Sequence, residues 1–201
     1  MKTIVITGQS GSGKTYLSNK LSKFFYNSII VNTDSYYRDD LYIKLLSIFI
    51  YDIYDRFISI KDKCLIKTIT SIYNKEEYAT FYNYDFRSKR SSQSKKQLKY
   101  PNNNRFLILE GIFAHRLDLN YDQTINILCN EQKEVCYQRR LRRDKIERGR
   151  NVEEVNTKYS KSWNIYSKYI SKFLNNNNII YINTVDSKNY KLLISKLQGL
   201  S

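Results

Sequence analysis

The stretch Gly8-Gln9-Ser10-Gly11-Ser12-Gly13-Lys14-Thr15 constrains this chain more than any other. An apolar run at residues 3–7 precedes it, and a helical pattern with Leu17, Leu21, Phe24 and Phe25 on one face follows it. Strand, glycine loop and helix in that order make a phosphate-binding P-loop. Glycines let the backbone turn so tightly that successive N–H groups point inward at phosphate oxygens. The helix N-terminus adds unpaired donors and a partial positive charge. Lys14 has the reach for β- and γ-phosphates, and the Thr15 hydroxyl suits Mg²⁺. The alternative is a glycine-rich turn that binds nothing, and a chance match in a chain this long has a probability of roughly one in a hundred. The chain holds six glycines and three of them fall here, which weighs further against chance. A nucleoside triphosphate is the expected ligand; the loop alone leaves the acceptor of its phosphate open.

Short apolar runs at residues 28–32, 105–109, 124–129 and 179–182 read as further buried strands. Helical patterns occupy residues 41–50, 55–72, 131–148 and 152–174, and a last one carries Tyr190, Leu193, Ile194 and Leu197. Strands alternating with helices predict a three-layer α/β fold, a parallel five-stranded sheet with helices on both faces. Aromatic residues 78–84 favour a strand. With the polar stretch 88–99 and a turn at 101–104 they predict a small, partly mobile β-hairpin flap over about 78–101. Val155, Tyr159, Trp163, Tyr166, Ile170 and Phe173 recur at helical spacing and read as a core stripe. At 201 residues, one domain spanning 1–201 is the simplest organisation. The longest apolar segment, residues 41–51, is about half a membrane span, so a buried or subunit-facing helix is expected and no membrane segment. Cys64, Cys129 and Cys136 have no metal-ligand spacing and fit reduced, buried thiols of a cytoplasmic protein.

Phosphoryl transfer needs a held Mg²⁺, a positioned acceptor and positive charge over the phosphoryl oxygens. Glu110 ends an apolar strand and precedes Gly111, where a carboxylate would help hold Mg²⁺. Asp34 ends another strand and could take a proton from an acceptor hydroxyl; on local grounds it could equally cap the next helix. Arg139, Arg140, Arg142, Arg143, Arg148 and Arg150 fall within twelve residues, with Gly149 breaking the pattern before Arg150. Beside a P-loop this suits a lid over about 139–152 that lays guanidinium groups on phosphates. The competing reading is a solvated or nucleic-acid-binding basic helix, which the net charge of +15 would also fit. His115 reads as a surface or packing residue.

These pieces together resemble the uridine kinase (uridine–cytidine kinase) branch of the phosphoribulokinase-like P-loop kinases. The carrying motifs are the glycine loop, Asp34-Ser35-Tyr36-Tyr37, Tyr84-Asp85-Phe86, Leu109-Glu110-Gly111-Ile112, Arg142-Arg143-Asp144 and Glu147-Arg148-Gly149-Arg150. Residues 51–57 look like a worn form of the family's FDHPDAF segment. The resemblance implies ATP and Mg²⁺ as cofactors, a small-molecule nucleoside as substrate, Asp34 as base for its 5′-hydroxyl, and pyrimidine salvage as the setting. It implies that Asp52 and Arg140 hold the ribose hydroxyls and that Tyr84 and Arg150 contact the pyrimidine. Arg143 and Arg148 would meet the ATP phosphates together with Lys14, in a homo-oligomer, a dimer or tetramer, with no nucleic-acid partner. Two positions depart: Ile53-Tyr54 replaces His-Pro, and Lys89 stands near the place of the base-contacting histidine. A lysine donates and cannot accept, which favours a uracil carbonyl over a cytosine amine. A sugar phosphate, pantothenate or nicotinamide riboside remains the alternative acceptor, and a kinase-like protein with a decayed substrate site the third possibility.

Overall fold

A computed structural model describes the chain except residues 27, 51, 101–105, 118, 120–123, 177–178, 184–186 and 200–201. Five strands form one parallel sheet: β1 (Lys2–Gly8), β2 (Ile29–Asn32), β5 (Phe106–Glu110), β6 (Thr124–Cys129) and β7 (Ile179–Ile182), in the spatial order β2-β5-β1-β6-β7. Each is a run of Ile, Val and Leu, and period-two alternation sends successive side chains to opposite faces. Ile4, Ile6, Phe106, Ile108 and Ile127 face one side. There they pack on Leu17 and Leu21 of α1 (Lys14–Phe24) and on Leu193, Ile194 and Leu197 of α6 (Ser187–Gln198). Val5, Val31, Leu107, Leu109 and Leu128 face the other side. Their partners are Leu65, Ile69 and Ile72 of α3 (Asp62–Tyr73) and Tyr166 and Ile170 of α5 (Val152–Asn176). The remaining helices are α2 (Leu41–Phe49) and α4 (Lys133–Arg148). The three-layer α/β architecture expected from the sequence is the one observed.

The parallel register aligns the strand ends that matter. Ile6 stands opposite Glu110, and Asn32 opposite Glu110 on the other side, so the P-loop, Glu110 and the turn carrying Asp34 leave the sheet at one edge. The strand order reverses at β1, and ligands of such sheets bind in the crevice outside the carboxyl ends at that point.

Several expectations change. The helix expected over 55–72 begins at Asp62, because two single 3₁₀ turns, Ile53–Asp55 and Phe57–Ser59, precede it. Phe24 is half-exposed and only its neighbour Phe25 enters the core. The strand β2 lies at a sheet edge, so Ile29 and Ile30 are half-buried where a buried strand was expected. In α2 only Ile43 is buried, while Leu41, Tyr42, Leu45, Ile48 and Phe49 face outward. A hairpin does form, β3 (Tyr78–Asp85) paired antiparallel with β4 (Arg90–Gln97), as a separate two-stranded sheet. The turn expected at 101–104, Arg105 and Tyr51 lie outside the described residues. No described helix is long and apolar enough to cross a membrane.

Candidate active site

The chain leaves β1 at Gly8 and enters α1 at Lys14 through a loop closed by Ser12 N–H donating to the Gln9 carbonyl at 3.0 Å. Gly11 sits at φ +91° with the backbone of Cys136 against it; a Cβ there would collide with the Cys136 carbonyl oxygen. That close approach sets the first turn of α4 beside the loop. The Gln9 amide donates to the Trp163 carbonyl of α5 at 3.2 Å, and Lys14 Nζ donates back to the Gln9 carbonyl at 3.1 Å. A cavity of about 870 Å³ opens above the loop, lined there by Ser10, Gly11, Gly13, Lys14 and Thr15. Gly8, Gln9 and Ser12 are not among its lining residues.

Thr15 Oγ1 donates to the Glu110 carboxylate, at 3.2 Å from Oε1 and 3.3 Å from Oε2. Glu110 is buried, and burial, reinforced by Asp34, pushes its pKa up to about 7 against the pull of Lys14 and Thr15. Asp34 lies in the 3₁₀ turn Thr33–Ser35, where Asn32 is the cap: its Oδ1 accepts from the Asp34 N–H at 2.8 Å. The next helix, α2, is capped by Asp40. Asp34 is therefore not a helix cap, and its Oδ1 accepts instead from the Ile112 N–H at 2.9 Å. This contact needs glycine at 111, because a Cβ there would strike Thr33 Oγ1 and Asp34 Oδ1. Asp34 and Ile112 both line the cavity.

The stretch expected as a lid, 139–152, is the second half of α4 and its turn into α5. Arg140 is buried and donates to Ser162 Oγ of α5 at 2.7 Å. Arg143 donates to Ser10 Oγ in the P-loop at 3.0 Å. The Arg148 guanidinium lies 3.8 Å from the centre of the Phe86 ring. Arg150 completes the group, and all four fall within ion-pair reach of Asp144. Arg139 pairs with Glu131, and Arg142 is exposed. Four of the six arginines thus turn inward around one carboxylate and are not arrayed on a solvated face.

At the far end of the cavity stand Tyr37, Tyr54, Tyr84 and Phe86. Tyr84 is buried, with ring centres 5.4 Å from Tyr37 and 5.0 Å from Phe86. Lys89 lines the cavity from the hairpin turn, exposed and at φ +54°. Asp52 is not among the lining residues; its carboxylate is paired with Arg56 at 2.9 Å. Asp55, on the same turn, lines the cavity instead, and burial raises its pKa to about 6, with Arg140 opposing. Asp55, Tyr37 and Asp144 were given no role from the sequence, although all three stand within motifs that carry the family resemblance. Only Asp144 carried a readable signal, the four-residue spacing to Arg140 and to Arg148 that puts all three on one helix face.

A parallel sheet with a glycine loop after its first strand, an acid at the end of a neighbouring strand and inward-turned arginines defines a P-loop kinase. The profile of the phosphoribulokinase / uridine kinase family matches residues 3–189, and the chain belongs to that family. The chain is 28% identical over 166 residues to uridine kinase of Haemophilus influenzae (strain PittEE), covering 78% of this chain and 74% of the relative. It is 26% identical over 161 residues to uridine kinase-like protein 3 of Arabidopsis thaliana, covering 79% of this chain and 34% of that protein. The chain thus spans about a third of the plant relative and about three quarters of the bacterial one. Its fold is shared with phosphoribulokinase from Rhodobacter spheroides, at a TM-score of 0.53 and 14% identity over 83% of this chain and 64% of that one.

Proposed function

We propose that this chain transfers the γ-phosphoryl group of ATP to the 5′-hydroxyl of a nucleoside, uridine in preference to cytidine. The observation that carries the reading is a single cavity joining Lys14 and Thr15 of the P-loop to Asp34 and to the aromatic wall of Tyr84 and Phe86. Phosphoryl transfer passes through a loose transition state, so the protein contributes mainly position and charge. Asp34, oriented by the Ile112 N–H, takes the proton of the attacking hydroxyl. Lys14, Arg143 and Arg148 offset charge on the phosphoryl oxygens, with backbone N–H groups of the loop beside them. Tyr84, Phe86 and Arg150 flank the base, Arg140 the ribose side, and Lys89 donates to a uracil carbonyl.

Thr15 and Glu110 fit Mg²⁺. Two hard oxygen donors lie side by side, and the raised pKa of buried Glu110 marks a carboxylate that a neighbouring cation would stabilise in its ionised form. Mg²⁺ is satisfied by one or two carboxylates together with phosphates and waters. Thr15 Oγ1 and the Glu110 carboxylate would hold it, and it would supply positive charge against the negative charge of the phosphates. Asp52 would meet ribose hydroxyls only by leaving Arg56, and Asp55 is the carboxylate better placed for them. The outward apolar face of α2 supports a homo-oligomer.

A general base contributes about a hundredfold to ten-thousandfold. Asp34→Asn is expected to lower uridine phosphorylation by at least that lower factor while a non-hydrolysable ATP analogue still binds with unchanged affinity. Turnover of uridine by this variant at near the parent rate would remove Asp34 from the mechanism. One observation favours a second reading, an anionic acceptor such as a sugar phosphate: Arg87, Lys89 and Lys158 all line the cavity. That reading predicts faster turnover of sugar phosphates than of uridine in the same assay.

A further inference from the structure

Asp144 has no part in the chemistry above, yet it is fully buried and four guanidinium groups converge on it. Its Oδ1 accepts from Arg143, at 2.8 Å through Nη2 and 3.0 Å through Nε, and lies 3.3 Å from Arg148 Nη1. Its Oδ2 accepts from Arg150 Nη1 at 2.9 Å and lies 3.6 Å from Arg140 Nε. The two oxygens therefore divide the arginines by task. Oδ1 holds the pair assigned to phosphates, and Oδ2 holds the pair assigned to the acceptor.

The main chain reinforces the arrangement. The helix α4 ends at Gly149, whose N–H donates to the Asp144 carbonyl, and the Arg150 N–H donates to the same oxygen at 3.1 Å. This turns Arg150 back beneath the helix end. Each arginine also reaches a second element: Arg143 the loop at Ser10, Arg140 α5 at Ser162, Arg148 the hairpin at Phe86, and Arg150 Glu154 at 3.7 Å. One carboxylate thus ties the P-loop, α5 and the hairpin to the same point. Burial alone would raise the Asp144 pKa, but the arginines, Arg143 and Arg148 foremost, hold it below the usual carboxylate range. Burial and Arg143 in turn push Arg148 down to about 10.

We infer that Asp144 is a positioning residue that sets all four guanidinium groups and couples nucleotide binding to acceptor binding. The inference rests on the kinase reading of the site. Phosphate oxygens that engage Arg143 and Arg148 compete with Oδ1 for the same N–H donors, so the hold of the carboxylate on Arg140 and Arg150 changes as the nucleotide binds. Linked affinities of this kind are reciprocal.

The test is titration of Mg²⁺ and a non-hydrolysable ATP analogue into the parent, Asp144→Asn and Arg150→Met proteins, with uridine kinetics and melting temperatures alongside. In Asp144→Asn the arginines lose a competitor but also their fixed positions. Analogue affinity is therefore expected to stay equal or tighten, while kcat falls at least tenfold. An unchanged kcat, or affinity and kcat falling together by one factor, overturns the inference. Should Asp144→Asn not fold, Arg150→Met decides. This arginine sits on the acceptor-side oxygen, and its loss is expected to weaken analogue binding threefold or more. Unchanged analogue affinity in that variant refutes the coupling. The analogue titrations need no acceptor, so a wrong choice of uridine leaves them valid. A parent protein that binds no analogue overturns both the coupling and the kinase reading beneath it.

Discussion

His115 is the chain's one histidine, and its surroundings hold it neutral. Its Nδ1 lies 2.9 Å from Thr7 Oγ1, and its ring packs against Tyr166 and Phe173. Burial, then the charge of Arg116, lowers its pKa from 6.5 to about 4. The folded-state pKa is depressed, so this contribution to stability is complete above pH 6.5 and is lost as pH falls toward 4. A shift of this size corresponds to on the order of 3 kcal/mol. Thermal melting between pH 7.5 and 4.5 should show a smaller acid loss in His115→Gln than in the parent; parallel curves would contradict it. The sequence left His115 as a surface or a packing residue, and its contacts with Tyr166 and Phe173 make it the second. The engagement of Asp52 with Arg56 was not legible in the sequence, because two acids three residues apart on an irregular turn carry no periodicity to say which one faces a cavity. Asp34 was ambiguous for a related reason: a strand-end Asp and a helix cap look alike until Asn32 and Asp40 are seen to take the capping positions.

The elements divide by how much of their cause is local. Strands such as Phe106–Glu110, buried along their whole length, are continuous apolar runs and declare themselves. The strand Arg90–Gln97 contains no apolar residue; it exists because Tyr78–Asp85 offers a complete ladder from Tyr78 opposite Gln97 to Asp85 opposite Arg90. A partner in space is not visible in the strand's own residues. The helical stripe Leu65, Ile69 and Ile72 was readable, but its start was placed early because the 3₁₀ turn Phe57–Ser59 and the buried Ile60 after it carry apolar residues ahead of the helix. The hairpin makes its own prediction. Phe86 has the Arg148 guanidinium 3.8 Å from its ring centre and meets the rings of Tyr84 and Tyr37 in edge contacts. Stacking of a base on an aromatic ring contributes about 1–3 kcal/mol. Phe86→Ala should therefore raise the KM for uridine about tenfold, and because the ring also packs on Arg148, Tyr37 and Tyr84 the melting temperature should fall as well. A KM for uridine that stays put would place the base elsewhere.

For the whole molecule, the charge of +15 pointed toward nucleic acid as readily as toward phosphate. The structure speaks to the arginine cluster within that charge. Arg140, Arg143, Arg148 and Arg150 turn inward on Asp144 between the P-loop and the hairpin. The phosphate half of the site was legible because a P-loop compresses its chemistry into eight consecutive residues, Gly8 to Thr15. The proposed acceptor half draws on the turn at Asp55, the hairpin at Tyr84, Phe86 and Lys89, and two helices, whose cavity-lining members are adjacent only after folding. The most direct test of the account is to incubate the purified protein with Mg²⁺, ATP, and in separate reactions uridine, cytidine and a set of sugar phosphates, then identify products by mass. The account predicts uridine 5′-monophosphate as the fastest-formed product, with cytidine slower. No monophosphate from either nucleoside, or a sugar phosphate consumed faster than uridine, would contradict it.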